Sequence, residues 1–161
     1  MRAMPTAAAL AWLATALSGA STDERWATYV NDRFGTTLSY PADVFLMRPP
    51  PENDDGRTLV AADGAKILVF AGYNVANDTL ASKRASLTGD DYARIAYNAT
   101  GKTWFVVSGH RAIGGVDSIF YEKYIVSAAD TIHSLIVTYP ATLKARYDPI
   151  VDRVAASFAG P

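Results

Sequence analysis

Ser108 and His110 stand two residues apart in a segment that reads as a strand, so their side chains share a face. A serine hydrolase needs a base within hydrogen-bond reach of the hydroxyl and a carboxylate to orient that base. Residues i and i+2 of a strand are too far apart for a direct Ser–His bond, and the chain has no Gly-x-Ser-x-Gly elbow. The pair reads better as a strand end running into the Gly114-Gly115 loop. Glu122 lies among Phe120, Tyr121 and Tyr124, where a carboxylate of raised pKa could act as a general acid. Its place in a strand fits an exposed sheet position with a cross-strand partner more simply.

Recognition chemistry has more candidates. Arg33, Arg48, Arg57 and Arg111 fall in loops or at strand ends, where guanidinium groups that converge can grip a carboxylate or phosphate. Tyr73, Tyr97 and Trp104 could line a pocket for a small molecule. With His110 these are the expected ligand or partner contacts. No catalytic, cofactor or metal set is expected. Asn53-Asp54-Asp55-Gly56 has the composition of a calcium loop. With Gly56 as the sixth residue, however, Pro51 and Ala62 occupy the positions that require Asp and Glu. His110 and His133 lack the spacing of a ligand pair.

Composition narrows the classes further. The 161 residues carry 15 Lys and Arg against 16 Asp and Glu, a formal charge of −1 with no basic patch, which argues against nucleic acid as a partner. The absence of cysteine removes thiol nucleophiles, zinc–thiolate sites and disulfide staples, so the core alone must hold the fold. Half of the residues are hydrophobic, which suffices for one domain.

The amino terminus reads as an address. Arg2 precedes an apolar run from Ala7 to Leu17, and Ser18-Gly19-Ala20 supplies small residues for signal peptidase. Residues 1–20 are expected to be a secretory signal cut after Ala20, leaving residues 21–161 as a single globular domain, periplasmic or secreted. No later stretch is long and apolar enough to span a membrane.

The body reads mainly as strands. Residues 25–30 alternate, and a turn at Asn31-Asp32 leads to Thr36–Tyr40, closed by Pro41. Three hairpins follow from short turns: Arg57–Ala62 with Lys66–Tyr73, Arg94–Asn98 with Thr103–His110, and Ser118–Ser127 with Thr131–Tyr139. The last strand is apolar on both faces and must be covered on both. Pro49-Pro50-Pro51 and the acidic residues behind it read as an exposed loop. Two helices can cover the sheet. One runs over Thr79–Thr88 with Asp78 as N-cap and Gly89 as its stop; the other starts from Asp148, with Pro149 in its first position. The expected class is α+β, an antiparallel sheet of six to eight strands covered by helices.

Trp26…Tyr29-Val30-Asn31-Asp32-Arg33-Phe34-Gly35, Leu38-Ser39-Tyr40-Pro41, Asp55-Gly56-Arg57, Trp104 to Gly109 and Tyr147-Asp148-Pro149-Ile150-Val151 form a pattern through nearly all of the mature chain. In this pattern the chain resembles the PsbP/Mog1-like fold group, and small exported bacterial proteins of unknown function within it. The resemblance implies an α/β/α sandwich, no catalytic residues, and work as an assembly or binding factor. The expected function is therefore a non-enzymatic accessory or binding protein of the bacterial envelope, its partner an envelope protein met through a sheet edge or the Pro49–Gly56 loop. The alternative is a carrier or sensor of a small molecule in an aromatic pocket; a hydrolase built on Ser108 ranks last.

Overall fold

The computed structural model describes residues 24–88 and 93–161. The expected signal segment and the Gly89 helix stop lie outside the described residues. Among the described residues nine strands form two antiparallel sheets. β1 (Trp26–Val30) and β2 (Thr37–Pro41) make a hairpin of their own. The main sheet has seven strands: β3 (Leu46–Met47), β4 (Gly56–Val60), β5 (Lys66–Tyr73), β6 (Ala93–Thr100), β7 (Trp104–Ile113), β8 (Val116–Val126) and β9 (Thr131–Pro140). Their order across the sheet is β3-β4-β5-β9-β8-β7-β6. The last strand in sequence thus lies in the middle, between β5 and β8.

A helix covers each face. α2 (Lys144–Ser157) lies on one side with the β1–β2 hairpin, and its Tyr147, Ile150, Val151 and Val154 pack against Leu59, Ile67, Val69, Leu135 and Val137 of the sheet. α1 (Leu80–Thr88) lies on the other, where Leu80 and Leu87 meet Phe105, Val107, Phe120 and Tyr124. The result is an α/β/α sandwich of the α+β class, as the strand and helix pattern implied.

Several local expectations are corrected. α2 begins at Lys144, a turn before Asp148, so Pro149 sits inside the helix and not at its first position. Asp148 is no cap: it pairs with Lys144 and accepts the Tyr139 hydroxyl at 2.9 Å. A proline in a helix interior costs about 3 kcal/mol. Four buried side chains on one stripe, each contributing roughly 1.5–3 kcal/mol, outweigh it. Burial wins over propensity here. α1 starts at Leu80 with Thr79 as its cap; Thr79 Oγ1 accepts from the Ser82 amide and Ser82 Oγ from the Thr79 amide, each at 3.0 Å. β7 does not end near His110. It continues to Ile113, and Gly114 and Gly115, at φ +57° and +82°, turn the chain directly into β8. Gly56 opens β4 and is required because a Cβ there would fall 2.1 Å from the Val69 carbonyl.

The largest correction is Glu122. It is buried, 5% exposed, on the α1 face, where it pairs with Arg111 at 3.1 Å and accepts the Tyr124 hydroxyl at 2.7 Å. Arg111 in turn lies over the Phe120 ring. Burial, then the adjacent Glu122 charge, hold the Tyr124 phenol well above its ordinary pKa, so it stays a donor. Removing one partner of a buried pair strands the other charge. Glu122→Ala should therefore lose roughly 3 kcal/mol of stability in urea unfolding, and Arg111→Met combined with Glu122→Leu should lose clearly less. Equal losses for the two would show that the pair, not the stranded charge, sets the energy.

Candidate functional site

Among the described residues β6 is an edge strand, paired only with β7. Here β6 carries a bulge. Ile95 pairs with Gly109 and Tyr97 with Ser108, so Ala96 is the extra residue. In an unbulged register running on from Ile95, Tyr97 would oppose Val107 and point to the α1 face; the bulge turns it to the α2 face. Gly109 makes this possible, because a Cβ on it would lie 2.0 Å from the Arg94 carbonyl.

Tyr97, Ser108 and Tyr121 then form a cross-strand row on the α2 face, with His110, Ile119 and Tyr139 as the next row along. Between these rows and α2 lies a cleft of about 460 Å³, whose helix wall presents Lys144, Asp148, Val151 and Asp152. Its polar groups are mostly engaged. Ser108 Oγ donates to the Phe120 carbonyl at 2.8 Å, and His110 Nδ1 lies 3.3 Å from Asp117 Oδ1, which Arg94 also approaches at 4.0 Å. Tyr139 donates to Asp148. Tyr121 is pushed up to about pKa 12, first by burial and then by Tyr97 and Asp152 nearby. Burial and the Asp148 carboxylate raise Tyr139 as well. At neutral pH both phenols are protonated donors. Ser108 and His110 make no hydrogen bond to each other, and each has another partner. The cleft offers tyrosine faces, hydroxyl donors and the exposed Asp152 carboxylate, and it lacks an activated nucleophile. Among the described residues no group of three or more His, Asp or Glu could hold a metal ion.

The expected contact residues fall in several places. Tyr97 and His110 meet in this cleft. Arg57 lines a groove of about 410 Å³ under Pro49, Pro50 and Pro51 and bonds Asp54 at 2.6 Å, while Arg33 donates to the Asn53 carbonyl at 2.8 Å. These two arginines therefore tie down the acidic loop. Arg48 lies beside β3, against Phe45 and Val60. Tyr73 stacks edge-on against Phe34 at 5.4 Å. Trp104 is half exposed at the start of β7, over Gly101. Arg111 falls on the opposite face by the alternation of β7 and pairs there with Glu122. Sequence reasoning missed Tyr121, Tyr139, Asp148 and Asp152 as cleft residues. The pairing registers bring the tyrosines there, and α2's early start sets its two aspartates one turn apart on the same wall.

This is the PsbP/Mog1-like fold: a long antiparallel sheet with a helix on each side. Three solved structures share it. Cyanobacterial PsbP (CyanoP) from Synechocystis superposes with a TM-score of 0.62 at 11% identity, covering 89% of this chain and 96% of its own. LpqN of Mycobacterium tuberculosis gives 0.60 at 12% over 84% and 90%. The Ran-binding protein Mog1p of Saccharomyces cerevisiae gives 0.58 at 12% over 84% and 95%. No family model matches the sequence, and no curated protein matches it significantly. At these identities the similarity concerns the fold.

Gly109→Ala should unmake the bulge. It is expected to lose about 2 kcal/mol through overpacking and, in hydrogen exchange, to lose protection in β6 while β8 and β9 keep theirs. Unchanged β6 protection would show that the close approach at Arg94 is not what Gly109 is for.

Proposed function

We propose that the chain is a non-enzymatic accessory or binding protein of the bacterial envelope, exported by residues 1–20 and working in the periplasm or outside the cell as residues 21–161. Its binding site is the β6–α2 cleft, and its partner is an envelope protein. The observation that carries this reading is the re-aimed Tyr97: a bulge and a required glycine place an exposed tyrosine on the sheet's edge strand, over a cleft lined by tyrosines and the exposed Asp152. An edge strand offers unpaired main-chain groups to an added strand, and the neighbouring cleft offers side-chain specificity. Two fold relatives lend support. LpqN is described as involved in cell envelope biogenesis and Mog1p as a Ran-binding protein, so this fold accompanies envelope work in one case and a protein partner in another. No described helix is long and apolar enough to cross a membrane.

The cleft's volume supports a second reading, a small-molecule carrier, since about 460 Å³ falls in the range of ligand pockets. Tyr97 and Tyr121 would then hold the ligand, while Tyr73 and Trp104 lie elsewhere. The two readings separate in one experiment. A photo-crosslinking amino acid is placed at Tyr97 or, on the far edge, at Leu46, and the protein is expressed in its host. The proposal predicts a chain beginning at Ser21 in the envelope fraction and a discrete crosslinked protein from position 97 that is absent from position 46. A small mass increment at position 97 alone would favour the carrier. An uncut cytoplasmic chain, or equal crosslinking from both positions, would overturn the proposal.

A further inference from the structure

His133 is the buried residue that the cleft does not use. It sits on β9 with 1% exposure, and its Nδ1 lies 2.8 Å from Thr36 Oγ1. Its Nε2 is buried and has no hydrogen-bond partner among the described residues. The tautomer follows from counting. Thr36 is fully buried, and among the described residues His133 is its hydroxyl's only side-chain partner. If Nδ1 donated to that oxygen, both the threonine proton and the Nε2 lone pair would be unsatisfied. If the hydroxyl donates to Nδ1, only an Nε2–H is left over. Each unsatisfied buried group costs roughly 1–3 kcal/mol, so the second arrangement is favoured. Burial also lowers the His133 pKa, which keeps the ring neutral. The outcome is one N–H donor with nothing to donate to.

The ring borders a cavity of about 360 Å³ between the β1–β2 turn and the β8–β9 turn. Among its other polar side chains, Arg33, Ser127 and Thr131 can each donate. Ser127 Oγ accepts from the Thr131 amide, which leaves its own proton free, and Arg33 presents the guanidinium nitrogens not used on Asn53. Among the described residues no Asp or Glu side chain lines it, and Phe34 and Tyr73 form an apolar wall. The last residues close it. Ala159 is paired to Thr37 by two main-chain bonds, but Gly160 and Pro161 make none among the described residues. Gly160 lies directly on the imidazole, where a Cβ would fall 2.5 Å from Nε2, and Pro161 packs against Gly35.

We propose that this cavity is a binding site for a small carboxylate with an apolar body. The carboxylate takes the His133 Nε2–H and the Arg33 guanidinium, the apolar part lies against Phe34 and Tyr73, and Gly160–Pro161 shift aside to admit it. Only packing contacts hold those two residues down, so their displacement breaks no main-chain hydrogen bond. The site is separate from the β6–α2 cleft and stands or falls independently of it.

The test uses benzoate as probe and benzyl alcohol as its neutral counterpart, with long-range ¹⁵N–¹H spectra reporting the His133 ring. Benzoate should shift the Nε2 resonance saturably, with a Kd of about 1 mM or tighter, and benzyl alcohol should not. Arg33→Ala, an exposed change that leaves the core intact, should weaken benzoate by roughly tenfold. Gly160→Val, which crowds the ring, should abolish the response; because that variant could perturb folding, its remaining backbone shifts serve as the control. A ring protonated on Nδ1, an Nε2 resonance that benzoate does not move, or equal affinity in Arg33→Ala would overturn the proposal. A response to both probes alike would overturn it as well, since it would mean apolar binding only.

Discussion

Everything in this fold depends on β9 being paired on both edges and covered on both faces, fully on the α2 side and in part on the other. Leu135, Val137 and Tyr139 point toward α2, while Ile132, Ser134 and Ile136 point to the other side. A strand in that position has no solvent to satisfy its main chain, so it needs a strand on each side and a layer on each face. β5 and β8 supply the first requirement; α1 and α2 supply the second. The long β7–β8–β9 ribbon, the late placement of the central strand and the two-sided sandwich follow from that one demand. The C-terminal helix then returns across the strand that precedes it. Tyr147 anchors it, fully buried, with its hydroxyl donating to Asp63 at 2.7 Å in the β4–β5 turn.

Much of this was legible because it is local. The Asp63-Gly64 turn, the 128–130 turn and the double apolar face of 131–139 are written in neighbouring residues, and the expected strands appear within two residues of where the alternation places them, except that β7 runs three residues further. What was not legible depends on pairing between distant segments. Glu122 looks like an exposed carboxylate until β7 places Arg111 beside it. The bulge at Ala96 leaves no mark in the sequence of β6. Its trace is Gly109, fourteen residues away in chain order from Ile95, whose missing Cβ admits the neighbouring backbone. α2's start was misplaced because a proline read alone looks like a first residue; the energy of the buried stripe decides otherwise.

The candidate site shows the same division. Tyr97 and His110 were marked from their types and do meet, but their companions come from α2 and from register. The arginines were marked as a possible anion grip. Arg57 secures the acidic loop, Arg33 ties the same loop through one of its nitrogens, and Arg111 neutralises a buried glutamate. The two clefts that remain differ in character. One presents tyrosines and Asp152 at an open sheet edge, suited to a partner's backbone and basic or polar side chains. The other presents donors around an apolar wall, suited to an anion.

The central claim is that the β6–α2 cleft is a place of contact with an envelope partner. Native mass spectrometry of the protein recovered from its host's envelope tests it most directly, with the Tyr97→Ala/Asp152→Ala double variant alongside. The account predicts a chain of residues 21–161 carrying a defined bound species, and loss of that species in the folded double variant. A bare chain in both samples, or a bound species retained equally by the variant, would contradict it.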